Sequence, residues 1–499
     1  MKHLLLILIS ALILLFSCSK NKITPLIPPV VTDTLNAPPG AFTISINSTS
    51  WDTANISWTT AVDPDNDPVT YKIFLNDSLL VADYQATAYT IRQLNQLTSY
   101  TVKIVASDNR KKESHATTQF KTVKFFLKFF KEIEYGTIAE YGSHNTGEMI
   151  KANDGGYIIT GETGLMENGK ESQAKVFIFK IDTAGSVEWR KYYNYSTYNI
   201  ADLKVVSFMD GYVFGAGRDL VRVDNQGNEI WHRASASLQE TIHGIGAGKS
   251  GEFYTVGKTG SADPDKEMSA SICKYDANGN LIWNKKFTPT NWNEFTDVIV
   301  TQENQLIVLG GFDPRNKNRQ DKINHNGEDD LDFWVLSLTT DGELIWDKSY
   351  HDPGYAFPYK IIQTREGNFV MAGFTMTQNT PLYLVMINAS GDPLWTYFNE
   401  ELPVKAKSVA ESDDHSIIVT GIYQTPQDAF YSLVKFNKEG QKLWVQEHFE
   451  FNTILKPKSV IPVNDGGYII NCQKTIIYSN AFEYDKIYLF KTDENGYFN

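Results

Sequence analysis

The chain has 499 residues, 42% hydrophobic and 21% charged, which suits a folded protein and excludes a disordered or collagen-like one. Its 59 acidic against 46 basic residues give a formal charge of −13, which disfavours a nucleic-acid partner held by phosphate neutralisation. Three cysteines are too few for a disulfide scaffold or a four-cysteine zinc site, while 26 Tyr, 28 Phe, 10 Trp and 34 Gly point to strands joined by tight turns.

Met1-Lys2-His3 is a short positive segment, and Leu4 to Phe16 is an almost wholly apolar run. That run is too short for an ordinary span of about 20 residues. It leads into Leu15-Phe16-Ser17-Cys18, which resembles the lipobox of bacterial lipoproteins, with Phe16 a departure from the commonest pattern. The resemblance implies removal of residues 1–17 as a signal peptide and acylation of Cys18. An ordinary signal peptide with an incidental cysteine is the plainer alternative. Acyl chains on Cys18 would anchor the mature protein stably, at about 0.8 kcal/mol per buried CH2. The expected site is the outer membrane of the cell envelope. Residues 18–39 carry Pro25, Pro28, Pro29, Pro38 and Pro39, a density that favours an extended tether. Ser19-Lys20-Asn21-Lys22 lacks the acidic residues expected of a surface-export signal in Bacteroidota, so the side of the membrane stays open.

Residues 40–122 alternate in short runs that predict strands at Ala41–Ile46, Asn55–Thr59, Thr70–Leu75, Ala88–Ile91, Tyr100–Ser107 and Ala116–Lys121. The segment from Leu94 to Ala106 looks like the corner and following strand of a fibronectin type III domain. The resemblance makes Tyr100 the tyrosine-corner residue, Trp58 the buried tryptophan and Tyr71 its neighbour on the next strand. Asp63-Pro64-Asp65-Asn66-Asp67 reads as a polar turn, with calcium coordination as the alternative. The domain is expected to act as a spacer or docking module.

The rest of the chain, residues 123–499, repeats. One half of the repeat is a hairpin such as Asn153-Asp154-Gly155-Gly156-Tyr157-Ile158-Ile159, returning last as Asn464-Asp465-Gly466-Gly467-Tyr468-Ile469-Ile470. The other half is an Asp/Asn-x-x-Gly turn followed by a strand with tryptophan. Its pairs are Gly185/Trp189, Gly227/Trp231, Gly279/Trp283, Gly342/Trp346, Gly391/Trp395 and Gly440/Trp444, each four residues apart. Variable spacing between pairs and constant spacing within them predict a radial array of four-stranded blades with each tryptophan between neighbours. The seventh unit ends at Asn499, one residue before its expected tryptophan. Phe125–Ile133, an aromatic strand ahead of the first repeat, can supply the missing outer strand and remove an exposed edge. The expected architecture is therefore all-β: a fibronectin type III sandwich followed by a seven-bladed propeller closed by its N-terminal strand.

Lys274 to Trp283 looks like a quinoprotein (PQQ-like) propeller repeat, and the Asp-Gly-Gly-Tyr half resembles repeats of Bacteroidota envelope lipoproteins. A quinone-dependent dehydrogenase of that family would carry adjacent cysteines and a catalytic Asp beside calcium, whereas Cys273 and Cys472 are far apart and read as buried thiols. There is no His-Glu-x-x-His and no Gly-x-Ser-x-Gly. Gly248-Lys249-Ser250 is a near miss for a phosphate loop, with His243 standing where the first glycine belongs. No catalytic residue and no cofactor is predicted, and the metal question is open.

In such blades the first and third turns share one face and the middle turns and inter-blade links share the other. The short repeated turns therefore form a uniform face, and Thr163–Ala174, Ser261–Met268, Phe312–Leu331 and Tyr423–Ala429 crowd the variable one. Variable loops on a rigid scaffold are where function usually resides. Candidate binding residues there are Trp292, as a stacking indole, and His325, Asp329, Asp330 and Asp332 in the longest insertion. A solvated polar loop is the plain reading of that insertion, and calcium bound by its carboxylates the alternative. Trp334 lies in a predicted strand and reads as core. The leading expectation is a non-enzymatic lipoprotein binding a glycan or an envelope protein through this face. The alternatives are a scaffold for outer-membrane assembly and an extracellular polysaccharide hydrolase.

Overall fold

The computed structural model describes residues 36–133, 144–167, 170–195, 203–234, 240–259, 269–289, 293–312, 331–351, 355–376, 381–399, 401–424, 429–450, 453–478 and 482–498. The chain divides into two compact units, Met1–Phe125 and Phe126–Asn499. All regular structure among the described residues is β.

In the first unit, a sheet of Ile44–Thr49, Ala54–Trp58 and Ala88–Ile91 faces a sheet ordered Ser78–Tyr84, Thr70–Leu75, Ser99–Ser107, Glu113–Lys121. Alternation along the strands buries Ile56, Trp58, Tyr71, Ile73, Val102 and Ile104 between them. Each fully buried large side chain contributes about 2 kcal/mol relative to leaving it in water. Trp58 meets Tyr71 edge to face at 5.4 Å. The backbone N–H of Asn95 donates to the Tyr100 hydroxyl at 2.8 Å, tying the corner to its strand. Strand Ser78–Tyr84 was not predicted, because most of its side chains, including Leu79 and Leu80, are exposed rather than alternating. Its turn signal is nonetheless in the sequence: Asn76 and Asp77 adopt φ of 47° and 65°, as a tight hairpin requires. In the Asp63 loop, the Asp63 carboxylate accepts from the N–H groups of Asp65 (2.9 Å) and Asp67 (3.2 Å), so it shapes a turn.

The second unit contains seven four-stranded antiparallel sheets among the described residues. The first runs His144–Lys151, Tyr157–Glu167, Lys170–Ile181, Val187–Tyr193. The next five begin at Val205–Phe208, Glu240–Ala247, Asn293–Val300, Tyr355–Gln363 and Val404–Glu411. The seventh is ordered Thr453–Pro462, Tyr468–Tyr478, Phe482–Lys491 and then Phe129–Ile133 from the start of the unit. The first strand of each sheet packs against the first strand of the next, and Thr453–Pro462 packs against His144–Lys151. That is a β-propeller. Phe125 lies outside the closing strand and packs at a tilt against Trp51 instead, at 4.8 Å.

The repeat residues have separate tasks. In the turn of the third-to-fourth strand, the first carboxylate or amide accepts two backbone N–H groups. Asp182 takes Ala184 and Ser186, Asp224 takes Gln226 and Asn228, and Asp276 takes Asn278 and Asn280. The following glycine has positive φ, 76° at Gly185 and 74° at Gly227. At several of these glycines the previous sheet's tryptophan arrives: a Cβ at Gly227 would lie 2.6 Å from the Trp189 ring, and one at Gly440 2.6 Å from Trp395, whereas Gly342 is met by Lys285. The conserved spacing within each unit thus records a contact between units. Acids in the first turn meet cations of the third strand, as in Asp154 with Lys180 (3.0 Å) and Asp465 with Lys491 (2.6 Å).

Candidate functional site

Cys18, Trp292, His325, Asp329 and Asp330 lie outside the described residues. Asp332 is described: it is 4% exposed, starts the strand Asp332–Thr339, and faces His351 Nδ1 at 2.8 Å. Its carboxylate therefore fastens a strand end to the link after Tyr350. Trp334 is core, 3% exposed and stacked on Phe295 at 5.0 Å. Cys273 and Cys472 are buried and not joined in a disulfide, and burial pushes the Cys472 thiol well up. Among the described residues no group of three or more His, Cys, Asp or Glu is placed to hold a metal ion.

Two clefts lie on the short-turn face, between sheets. One, of about 320 Å³ and between the fifth and sixth sheets, is lined by Glu366, Trp395, Glu411, His415 and Lys438. Its polar groups hold one another: His415 Nδ1 meets Glu411 at 3.0 Å, Arg365 N–H donates to Glu411 at 2.8 Å, and Trp395 Nε1 donates to the Lys438 carbonyl at 2.9 Å. The other, of about 330 Å³, joins the seventh sheet to the first beside Gly156, Tyr157 and Asp465.

The centre of the ring holds a cluster that the sequence reading did not find. Glu148 on the first sheet and Lys360 on the fifth are not neighbours around the ring, yet Lys360 Nζ reaches Glu148 Oε1 at 2.5 Å. Asp297, 2% exposed on the fourth sheet, stands 3.5 Å from the same ammonium. Burial raises the Glu148 carboxyl, but Lys360, Lys204 and the Val205 N–H outweigh it and hold it below its usual range. Burial lowers Lys360, but Asp297 and Glu148 outweigh it and raise it further above its usual value. Lys360 thus stays an ammonium at neutral pH, which disqualifies it as a base or amine nucleophile. The cluster is suited to hold the ring.

The same position carries a second relation. Glu148 accepts from Val205 N–H (3.4 Å), Asp297 from Ile361 N–H (3.0 Å), Ser408 from Val460 N–H (3.3 Å) and Ser459 from Met149 N–H (2.9 Å). In each case the side chain of one sheet satisfies the first strand of the next. The available sequence signal is a polar residue before an apolar one in the first strands of five of the seven sheets: Glu148-Met149, Asp297-Val298, Lys360-Ile361, Ser408-Val409, Ser459-Val460.

No family model matches the chain, and no curated protein does. Among solved structures, it is similar to the Pan2 WD40 domain of Neurospora crassa at 11% identity and TM-score 0.44, over 71% of this chain and 91% of that one. It is similar to a quinoprotein alcohol dehydrogenase-like protein of Bacteroides thetaiotaomicron at 10% identity and TM-score 0.39, over 80% and 92%. A protein of unknown function from Dyadobacter fermentans matches at 8% identity and TM-score 0.44, over 72% and 99%. At such identities nothing about activity passes from them to this chain.

Proposed function

We propose that this is a lipid-anchored protein of the bacterial cell envelope, attached through Cys18, in which a fibronectin type III spacer carries a seven-bladed, quinoprotein-like propeller closed by its own first strand. The propeller is a non-enzymatic binding module, and its partner is a glycan or an envelope protein. The observation that carries this reading is the division of labour between the two faces. The repeated Asp, Asn and Gly residues of the short turns are consumed in holding the blades, as at Asp182, Asp224 and Asp276. The opposite face carries segments of unequal length and composition on the same rigid frame.

Two experiments test it. Labelled palmitate should enter the wild-type chain expressed in a lipoprotein-processing bacterium and be absent from Cys18→Ser; label in both variants, or in neither, removes the anchor. Affinity capture on the folded mature chain should retain a glycan or an envelope protein. Turnover of a polysaccharide library by the same preparation would instead make it a hydrolase.

A further inference from the structure

The turn at residues 63–67 of the sandwich uses only part of the oxygens it buries. Asp63, 4% exposed, engages its Oδ1 with the N–H groups of Asp65 and Asp67, at 2.9 and 3.2 Å. Its Oδ2 is buried without a hydrogen-bond partner, and so is Asp67 Oδ2. Among the described residues these are the only buried carboxylate oxygens in that state. A third buried oxygen without a partner is Asn36 Oδ1. An unpaired buried charge is among the most costly groups a fold can hold, so two in one loop call for a cation.

Three segments meet at this end of the sandwich. Gly40 N–H donates to the Val62 carbonyl at 2.9 Å and Ala37 N–H to Asp65 Oδ2 at 2.8 Å, so residues 36–40 run beside the loop. Asn36 Nδ2 donates to Asp108 Oδ2 at 2.7 Å, and Asp108 Oδ1 accepts from the N–H groups of Arg110 and Lys112, both at 2.8 Å. The Asn36 amide is thereby fixed by its nitrogen with its oxygen unused. Arg110, its side chain 48% exposed, brings Nε to 3.5 Å from Asp67 Oδ2, a loose approach that makes no hydrogen bond. What the three segments leave over is all acceptor: two carboxylate oxygens and an amide oxygen, with no thiol or imidazole.

We infer that this end of the sandwich is a calcium site, with Asp63 Oδ2, Asp67 Oδ2 and Asn36 Oδ1 as its side-chain ligands. Calcium takes about six to eight oxygens of any kind in irregular arrangements, so water and main-chain carbonyls can complete a set that has two acids rather than three. Magnesium demands a near-ideal octahedron and transition metals favour nitrogen or sulfur donors, so neither suits oxygens placed by main-chain turns. One bound ion joins Asn36 to the loop where the described chain enters the sandwich. The proposed tether then meets the sandwich at an attachment that calcium stiffens, although the site stands without the tether.

Calorimetric scans of the mature full chain in chelator and in about 10 mM calcium test the inference. For a dissociation constant of about 0.1–1 mM, the sandwich transition should rise by about 5–15 °C with calcium while the propeller transition stays in place. Asp67→Asn removes an unpaired charge, so it should melt no lower than wild type in chelator and lose most of the rise with calcium. Arg110→Gln should keep the rise in full. Titration calorimetry on Asn36→Ala gives a second readout, a calcium affinity about tenfold lower than wild type. A sandwich transition that ignores calcium overturns the inference, as does an equal rise in Asp67→Asn, an equal rise with magnesium, or an undiminished affinity in Asn36→Ala. Equal losses by Asp67→Asn and Arg110→Gln in chelator, with no response to calcium, would assign Asp67 to Arg110 instead.

Discussion

The ring of Phe129 lies against the backbone of Gly185, so close that a Cβ there would come within 2.8 Å of it. Phe129 pairs with Lys491 as Trp189 pairs with Lys180 and Trp444 with Lys435. It occupies the tryptophan position of the seventh sheet, and Gly185 receives it as Gly227 receives Trp189. Gly185→Ala meets both a left-handed backbone and this contact, and should cost about 2 kcal/mol, read as a lowered melting temperature. Adding Phe129→Ala should cost less than the sum of the two single changes. Additive losses would show that the contact carries no energy.

Deleting residues 123–136 removes the fourth strand of the last sheet and uncovers the edge of Phe482–Lys491. Phe490, which meets Phe130 at 4.6 Å, also loses its cover. The deletion should unfold or aggregate the propeller, as light scattering and size-exclusion chromatography would report. A monodisperse product with unchanged melting temperature would refute closure by this strand.

At the ring centre, Lys360→Met leaves Glu148 and Asp297 buried without their ammonium, at a cost of about 3 kcal/mol in chemical denaturation. Glu148 also sets an acid limit. Its folded carboxyl titrates below its unfolded one, so its contribution is full above the unfolded value of about 4.3 and is lost as pH falls through the lowered folded value. Glu148→Gln should flatten the loss of melting temperature between about pH 5 and pH 3. Equal slopes in variant and wild type would count against the cluster.

Tyr100→Phe removes the acceptor of the Asn95 N–H and should destabilise the sandwich by about 1 kcal/mol. The propeller transition should not move in the same calorimetric scan.

Cys273 and Cys472 should resist a soluble thiol reagent in the native protein and react fully in denaturant, because burial excludes the reagent and, at Cys472, disfavours the thiolate. Rapid native labelling at neutral pH would contradict this.

The repeats carried most of the architecture, because most of the third-to-fourth-strand turns need an Asp or Asn and a glycine locally. The paired Gly/Trp spacing was visible within a unit, but its meaning was not, since Trp189 contacts Gly227 and not Gly185. Strand Ser78–Tyr84 escaped because a strand with most of its side chains exposed has no apolar alternation, although Asn76-Asp77 announced its hairpin. The axial cluster escaped for a different reason. Glu148 and Lys360 are 212 positions apart, and only closure of the ring brings them together.

The strand that completes the last sheet is also the first part of the propeller that any N-terminal pull reaches. Tension entering through Phe126 reaches Phe129–Ile133, which is held to the last sheet by five cross-strand pairs with Ile487–Lys491. Any load that enters the ring from its N-terminal side thus meets the ring's own fastening before it meets anything else.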